Sequence, residues 1–303
     1  MAEQRVIGVD LGGTKILAGV VDRAGTVDRR RERPTPTGSE EELLAALVDA
    51  VEEQLDDDIA AIGFGIPSTI DQRSGKAVSS VNIPLADLDL RTWMRERFEL
   101  PVGLDNDANA ATLAEWSIGA GRGTQHMVML TLGTGVGGGL ILDGRLYRGA
   151  VGAAGELGHM VIDIDGPPCQ GSCTGRGHLE SLASGHAATL AAQALFGPAV
   201  DAHRLVRLAQ EGDASAIELL ATFGHRLGAG IGSLVNIFNP EVVVIGGGFS
   251  AAGDFILEPA RKTLQREALH PARDLVRVVR AELGTAAGLV GAGLVAFEAL
   301  DAA

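Results

Sequence analysis

Short β-branched runs and longer helix-spaced apolar stripes take turns along this chain, and the order in which they alternate predicts its elements. Val6, Ile7 and Val9, then Ile16 to Val21, read as two strands, with a third over residues 27–33. Leu43, Leu44, Leu47, Val48, Val51 and Leu55 recur at helical spacing and predict a helix over 40–55, with Ser39 and Glu42 forming its capping box. A strand over 59–66 follows, then another over 102–104 that passes at once into an Ala-rich helix reaching Trp116. In the second half, Val128, Met129 and Leu130 and then Leu140 to Leu142 predict two more strands. Residues 149–177 are too rich in Gly, Pro, Cys and His for a regular element. Helices are expected over 182–195, 203–210 and 214–238, a strand over 241–245, and a last helix over 286–300 that is too apolar to stand alone and must pack on something.

Laid over this pattern is a repeat. Asp10-Leu-Gly-Gly-Thr-Lys-Ile-Leu-Ala-Gly-Val-Val-Asp22 and Thr131-Leu-Gly-Thr-Gly-Val-Gly-Gly-Gly-Leu-Ile-Leu-Asp143 align without a gap, and each reads as strand, glycine turn, strand. Glycines allow positive φ and let backbone N–H groups approach an anion where a side chain would collide. A single copy is also compatible with a plain β-hairpin. Two copies, with Asp10 at the end of the first strand, point to two lobes that grip a polyphosphate. Asp10 would hold a metal-bound water while the following N–H groups and Thr14 meet phosphate oxygens. Thr131 replaces that Asp in the second copy, so one lobe alone needs to meet the metal.

Composition narrows the class. Of 303 residues 46% are hydrophobic and 4% aromatic, so the cores must be built from Ala, Val, Leu and Ile, as in an ordinary α/β protein. A formal net charge of -14 argues against a general nucleic-acid binder, which needs a basic face to displace counterions. A small polyanion can still bind through backbone amides and a divalent metal. No signal segment precedes the first strand and no uninterrupted apolar stretch reaches about twenty residues, so a cytoplasmic protein that binds no membrane is expected. No low-complexity linker separates the halves, which should abut and hinge.

Two polar clusters carry candidate chemistry. Asn106-Asp107 stands where a strand meets a helix, a usual position for residues facing a ligand. Asp107 is placed to accept the proton of an alcohol during phosphoryl transfer, and equally to cap the helix that follows. Glu156-Leu-Gly-His159, followed by Cys169, Cys173, His178 and Glu180, is the densest polar cluster in the chain. Two Cys and two His within about twenty residues suit a tetrahedral structural zinc. A Cys169–Cys173 disulfide or two inert thiols are the alternatives. A zinc-bound imidazole keeps one ring N–H, so His159 could also donate to a ligand hydroxyl. His126, His186, His203 and His225 are expected at the surface or in the core, and Gly246-Gly-Gly as a helix–sheet connection.

With these residues assembled, the chain resembles sugar kinases of the ROK family (repressors, open reading frames and kinases), and most of all its bacterial ATP-dependent glucokinases. The resemblance runs through the first turn, Gly65-Ile-Pro67, Asn82-Ile-Pro84, Asn106-Asp-Ala-Asn-Ala-Ala, the second turn, Gly155-Glu-Leu-Gly-His159 and the stretch from Leu234 to Gly248. It implies an α/β, actin-like ATPase (ribonuclease H-like) fold of two lobes with ATP and sugar in a central cleft. The lobes would be 1–108, with helix 287–303 packing back on it, and 109–286, carrying the zinc knuckle and an oligomer interface for a homodimer or homotetramer. By the same resemblance Asp107 is the catalytic base, and Gly65, Pro67, Asn82, Asn106, Asp107, Glu156, His159 and Glu180 bind the sugar. Asp10, Gly12, Gly13, Thr14, Lys15, Gly133, Thr134, Gly135, Gly247 and Gly248 bind ATP with Mg. His159, Cys169, Cys173 and His178 bind structural zinc.

The chain departs from the family pattern in three places. Its knuckle, Cys169-Gln-Gly-Ser-Cys173-Thr-Gly-Arg-Gly177-His178-Leu-Glu180, is two residues longer in the middle than the family's, and His178 stands for its last cysteine. Imidazole is an equally good zinc ligand, giving a Cys₂His₂ set. Ser68 stands where Gly commonly follows Gly-x-Pro, and Leu85 replaces a Gly-Trp after Asn-x-Pro, which would reshape the sugar pocket. The expected activity is transfer of phosphate from ATP to the 6-hydroxyl of a hexose, glucose first. Another hexose or N-acetylhexosamine as acceptor and polyphosphate as donor are the nearer alternatives. The cysteine-rich motif favours ATP. A sugar-responsive repressor is the remote one, opposed by the acidic charge and by a first strand that starts near Arg5, where such repressors carry a helix-turn-helix domain.

Overall fold

The structure is a computed structural model that describes residues 4–80, 83–85, 87–171 and 173–303. The chain divides into two compact units. One holds the chain through Arg122, then Leu146–Ala154 and Thr285–Ala303; the other holds Gly123–Arg145 and Gly155–Gly284.

In the first unit the elements are β1 (Arg5–Leu11), β2 (Lys15–Asp22), β3 (Val27–Pro34), α1 (Glu40–Glu52), β4 (Ile59–Ile66), β5 (Ser68–Asp71), β6 (Lys76–Ser80), α2 (Leu90–Phe98), β7 (Val102–Asn106) and α3 (Asp107–Ser117). The sheet order is β3-β2-β1-β4-β7, with β1 antiparallel to β2 and parallel to β4, and β4 parallel to β7. The capping box at Ser39 is present in its first half, the Ser39 hydroxyl accepting from Glu42 N at 3.2 Å. The helix stops at Glu52 rather than Leu55, whose side chain is exposed.

The second unit runs β8 (Met127–Leu132), β9 (Val136–Leu142), β10 (Arg145–Leu146), α4 (Leu179–Ala183), α5 (Gly185–Phe196), α6 (Ala202–Gln210), α7 (Ala214–Phe238), β11 (Val242–Gly246), α8 (Asp254–Glu267), α9 (Ala272–Leu275) and β12 (Arg277–Arg280). Its sheet order is β10-β9-β8-β11-β12, again with antiparallel pairing on one side, here of β8 with β9, beside the parallel trio β8, β11 and β12. The two sheets share one topology, so the thirteen-residue repeat is the visible remnant of a repeated fold. The helix expected over 182–195 is broken at Ser184, whose hydroxyl caps α5 by accepting from Ala187 N at 3.1 Å. Helix α8 escaped the sequence reading because Pro259 sits inside it, a residue that ordinarily ends a helix.

The last helix, α10 (Ala287–Asp301), shows what its apolar surface is for. Gly8, Gly63 and Gly103 stand in register across β1, β4 and β7. A Cβ on Gly63 would lie 1.9 Å from Ala292 O, one on Gly8 2.5 Å from Leu289 O, and one on Gly103 2.3 Å from Val295 O. The helix backbone therefore lies directly on a glycine stripe of the sheet, and Gly291 in turn admits Ala110 of α3. The stretch Gly284–Asp301 has mean hydropathy 1.2, long and apolar enough to cross a membrane, yet half of it is buried inside the protein. Because α3 packs on α10, the first unit extends past residue 108, the expected boundary, to Arg122.

Candidate functional site

Each unit presents a glycine turn at one end of its sheet. In the first, Gly12 N donates to Lys15 O (2.9 Å) and Thr35 Oγ1 to Gly12 O (2.7 Å), which sets the loop, while Gly13 and Thr14 are exposed. Lys15 is held by an ion pair with Glu32 at 3.0 Å on β3. Asp10, Gly65 and Asp105 align across the carboxyl ends of β1, β4 and β7, the end of a parallel sheet where ligands ordinarily bind. Burial, reinforced by the nearby Asp107 charge and opposed by Lys15, pushes the Asp10 carboxyl up to about 6. Gly288 of α10 lies so close that a Cβ there would meet Asp10 Oδ2 at 2.2 Å.

Asp107 is the first residue of α3. Asn106 is the cap of that helix, its Oδ1 accepting from Ala108 N (2.9 Å) and Asn109 N (3.2 Å); Asp107 Oδ1 also accepts from Ala108 N (2.8 Å). Capping is thus mainly the work of Asn106, whose Nδ2 points to Ser68 O at 3.4 Å. Gly65 lets β4 approach this turn: an added Cβ would lie 3.2 Å from Ala110 Cβ and 3.7 Å from Asp107 Cα. Pro67 follows β4 and is half-buried. Asn82 lies outside the described residues. Leu85, expected to reshape the sugar pocket, is 2% exposed and packs in the core of the first unit.

In the second unit, Gly133 N donates to Gly135 O (2.9 Å), and Gly185 N at the start of α5 donates to Gly133 O (2.8 Å). Glu180 of α4 accepts from Val136 N through Oε2 at 2.9 Å, and a Cβ on Gly135 would fall 2.0 Å from that oxygen. Gly247 has φ +81°, and any Cβ there would meet the Leu132 backbone at 2.4–2.6 Å, so this turn tolerates glycine alone. Gly133, Thr134 and Gly248 line one cavity of about 550 Å³ together with His186, His203, Arg207 and Phe249. His186 and His203, placed at surface or core by their helical context, thus face a pocket. Their spacing within unrelated helices gave no signal of it.

The metal candidates converge. The ligand atoms of His159, Cys169, Cys173 and His178 all lie within 4.8 Å of one another. His159 Nδ1 and His178 Nδ1 are 3.2 Å apart, Cys169 Sγ is 3.6 Å from His159 Nδ1, and Cys173 Sγ is 3.7 Å from His178 Nδ1. Zinc–nitrogen and zinc–sulfur bonds of about 2.0 and 2.3 Å give tetrahedron edges of roughly 3.3–3.8 Å, close to these three separations, so the cluster suits a structural zinc after small side-chain shifts. Both cysteines are free thiols, and burial pushes the Cys169 thiol up to about 11. Val161 bridges to His178 and Pro168 to Arg176, tying the lengthened knuckle into a closed loop. Glu156 is exposed, its Oε2 3.9 Å from His159 Nε2. Glu180 Oε1 lies 3.8 Å from Cys169 Sγ, so the same carboxylate touches both the knuckle and the second glycine turn.

Two units of one repeated topology, each carrying a strand–glycine turn–strand hairpin, make up an actin-like ATPase fold. The model of the ROK family matches residues 6–299, and the chain belongs to that family. It is 36% identical to a glucokinase of Halalkalibacterium halodurans, over 97% of this chain and 95% of that one. A putative xylose repressor of Caldicellulosiruptor sp. is 32% identical over 94% of this chain and 76% of its own. Among solved structures, a ROK glucokinase of Streptomyces griseus in complex with glucose and AMPPNP superposes with TM-score 0.84 at 34% identity, covering 97% of this chain and 99% of that one. The chain is a kinase of the hexokinase type.

Proposed function

We propose that the chain phosphorylates the 6-hydroxyl of a hexose at the expense of ATP, with glucose as the first substrate and Asp107 as the general base. The observation that carries this reading is the pair of carboxylates at the carboxyl end of one parallel sheet: Asp10 near the end of β1, and Asp107 opening α3 directly after β7, with β4 between the two strands. Phosphoryl transfer requires positioning, charge neutralisation and a proton acceptor. Asp107, oriented by the Ala108 amide, takes the proton as the hydroxyl oxygen bonds to the γ-phosphorus and the bond to the ADP oxygen breaks. In the first unit the backbone amides around Gly12, Gly13 and Thr14 are suited to phosphate oxygens; in the second unit those around Gly133, Thr134 and Gly135 are, and the cavity of about 550 Å³ beside Gly133 and Gly248 would take the nucleoside. Magnesium bound with the nucleotide would neutralise phosphate charge, and Asp10 would be the carboxylate to hold it. Zinc, if bound, would be held by His159, Cys169, Cys173 and His178 and would cross-link the knuckle, fixing His159, Glu156 and Glu180 of the second unit for sugar hydroxyls; in the first unit Asn106 is given the same role.

Glucose is favoured because the glucokinases and the glucose-bound neighbour resemble this chain over nearly its whole length. A coupled assay over a panel of hexoses and N-acetylhexosamines, with ATP and polyphosphate as donors, tests the assignment; preference for any acceptor other than glucose overturns it. Asp107→Asn is expected to lower kcat by at least about 10²-fold while sugar affinity is largely kept, since it removes the base and leaves the shape. Near-normal turnover in that variant would sink the role given to Asp107. The family resemblance also leads us to expect a dimer or tetramer, which the mass in solution decides.

A further inference from the structure

Arg148 has no part in the sequence reading, and its surroundings give it one. It lies in Leu146–Ala154, a strap of the first unit flanked in sequence on both sides by the second. The strap docks where Gln72 N donates to Val151 O (3.3 Å) and where Gly152 presses on Ile70 O, with no room for a Cβ. From it Arg148 Nε donates to Asp105 Oδ2 and Nη2 to Glu298 Oε2, both at 2.5 Å. Asp105 is 1% exposed, so its charge must be answered locally. Its two oxygens divide the task. Oδ1 accepts from Asn106 N (2.8 Å) and Asn109 Nδ2 (2.9 Å), the cap and first turn of the helix that opens with Asp107. Oδ2 accepts from Arg148.

We infer that Arg148 is a positioning residue for the general base, acting through Asp105 on the first turn of α3. This rests on the assignment of Asp107 above. Without the guanidinium, a buried carboxylate oxygen loses its charged donor, and Asp105 must turn toward another donor or take up a proton. Either change loosens the two bonds that Oδ1 makes to residues 106 and 109, and with them the direction in which Asp107 points. A misplacement of about 1 Å is enough to cost roughly 10²-fold in rate. Glu298, by contrast, meets Arg148 from the solvent side, with its side chain 46% exposed. A cavity of about 600 Å³, lined by Gln72, Arg91, Leu104 and Glu298, opens onto Arg148, so a small cation from solution can reach the place its head group occupies.

The test is steady-state kinetics of Arg148→Ala, Arg148→Lys and Glu298→Gln with the sugar panel's best acceptor, with and without guanidinium ion at sub-denaturing concentration. Arg148→Ala is expected to lose about 10²-fold in kcat with sugar KM within about threefold, and to regain about tenfold with added guanidinium. Arg148→Lys should fall between it and the wild type, because a point charge lacks the forked geometry, and Glu298→Gln should stay within about threefold of wild type. In an Asp107→Asn background, removing Arg148 should cost little more, since both changes act on one group. A kcat for Arg148→Ala within threefold of wild type overturns the inference, as does a folded Arg148→Ala that guanidinium leaves unrescued, or equal losses in Glu298→Gln. Should the alanine variant fail to fold, wild-type kcat in the lysine variant overturns it. Failure of the base assignment itself is read separately, as undiminished activity in Asp107→Asn alone.

Discussion

Replacing Asp10 by Asn should stabilise the protein at neutral pH and do so less at acid pH. The Asp10 carboxyl is raised from 3.8 to about 6, first by burial and then by the Asp107 charge. A raised carboxyl holds its proton in the folded chain where the unfolded chain has already released it. Stability therefore falls as pH rises from 3.8 to about 6, and the loss persists above that. At about 1.36 kcal/mol per pKa unit the full cost approaches ~3 kcal/mol, with about half of it already present at pH 5. Asn keeps the shape without the charge, so its advantage over Asp should grow by about 1.4 kcal/mol between pH 5 and pH 7.5. Paired denaturation curves of wild type and Asp10→Asn at the two pH values measure this. An advantage that is the same at both pH values, or larger at pH 5, refutes the reasoning. The cost has a functional counterpart. A divalent cation offsets it, so Mg²⁺ with nucleotide should stabilise the wild type more than Asp10→Asn.

Further outcomes follow from other contacts. Protein purified without chelator should hold about one zinc per chain, and Cys169→Ser or His178→Ala should lose it; a zinc content near zero in the wild type refutes the ligand set. Gly63→Ala should destabilise the first unit by at least about 3 kcal/mol, read as a fall in melting temperature, because its Cβ would sit on the α10 backbone at Ala292. An unchanged melting temperature would contradict that packing.

Much of the site was legible because its chemistry sits at element ends. Asp10 and Asp107 each stand at a strand's carboxyl end, and glycine turns announce themselves in a linear pattern. The two histidines and two cysteines were readable as a cluster close in sequence, although only the fold brings His159 Nδ1 to 3.2 Å from His178 Nδ1. Arg148 was not legible, since nothing local distinguishes it and its partners lie 43 and 150 residues away. Helix α8 was hidden by Pro259, α2 buries only Leu90 and Met94 and so shows little apolar stripe, and β5, β6 and β12 were too short to stand out.

The sequence by itself determined the repeated strand–turn–strand unit, the cluster of two histidines and two cysteines, and the family. These depend on residue types at short spacing, which backbone geometry converts directly into local structure. The tertiary structure decided which face of the last helix is covered and how far the first unit extends. It also decided what surrounds each carboxylate: burial that raises Asp10, an arginine that answers Asp105, and an amide that orients Asp107. Such assignments belong to contacts between distant segments, and only packing puts those segments within hydrogen-bonding reach.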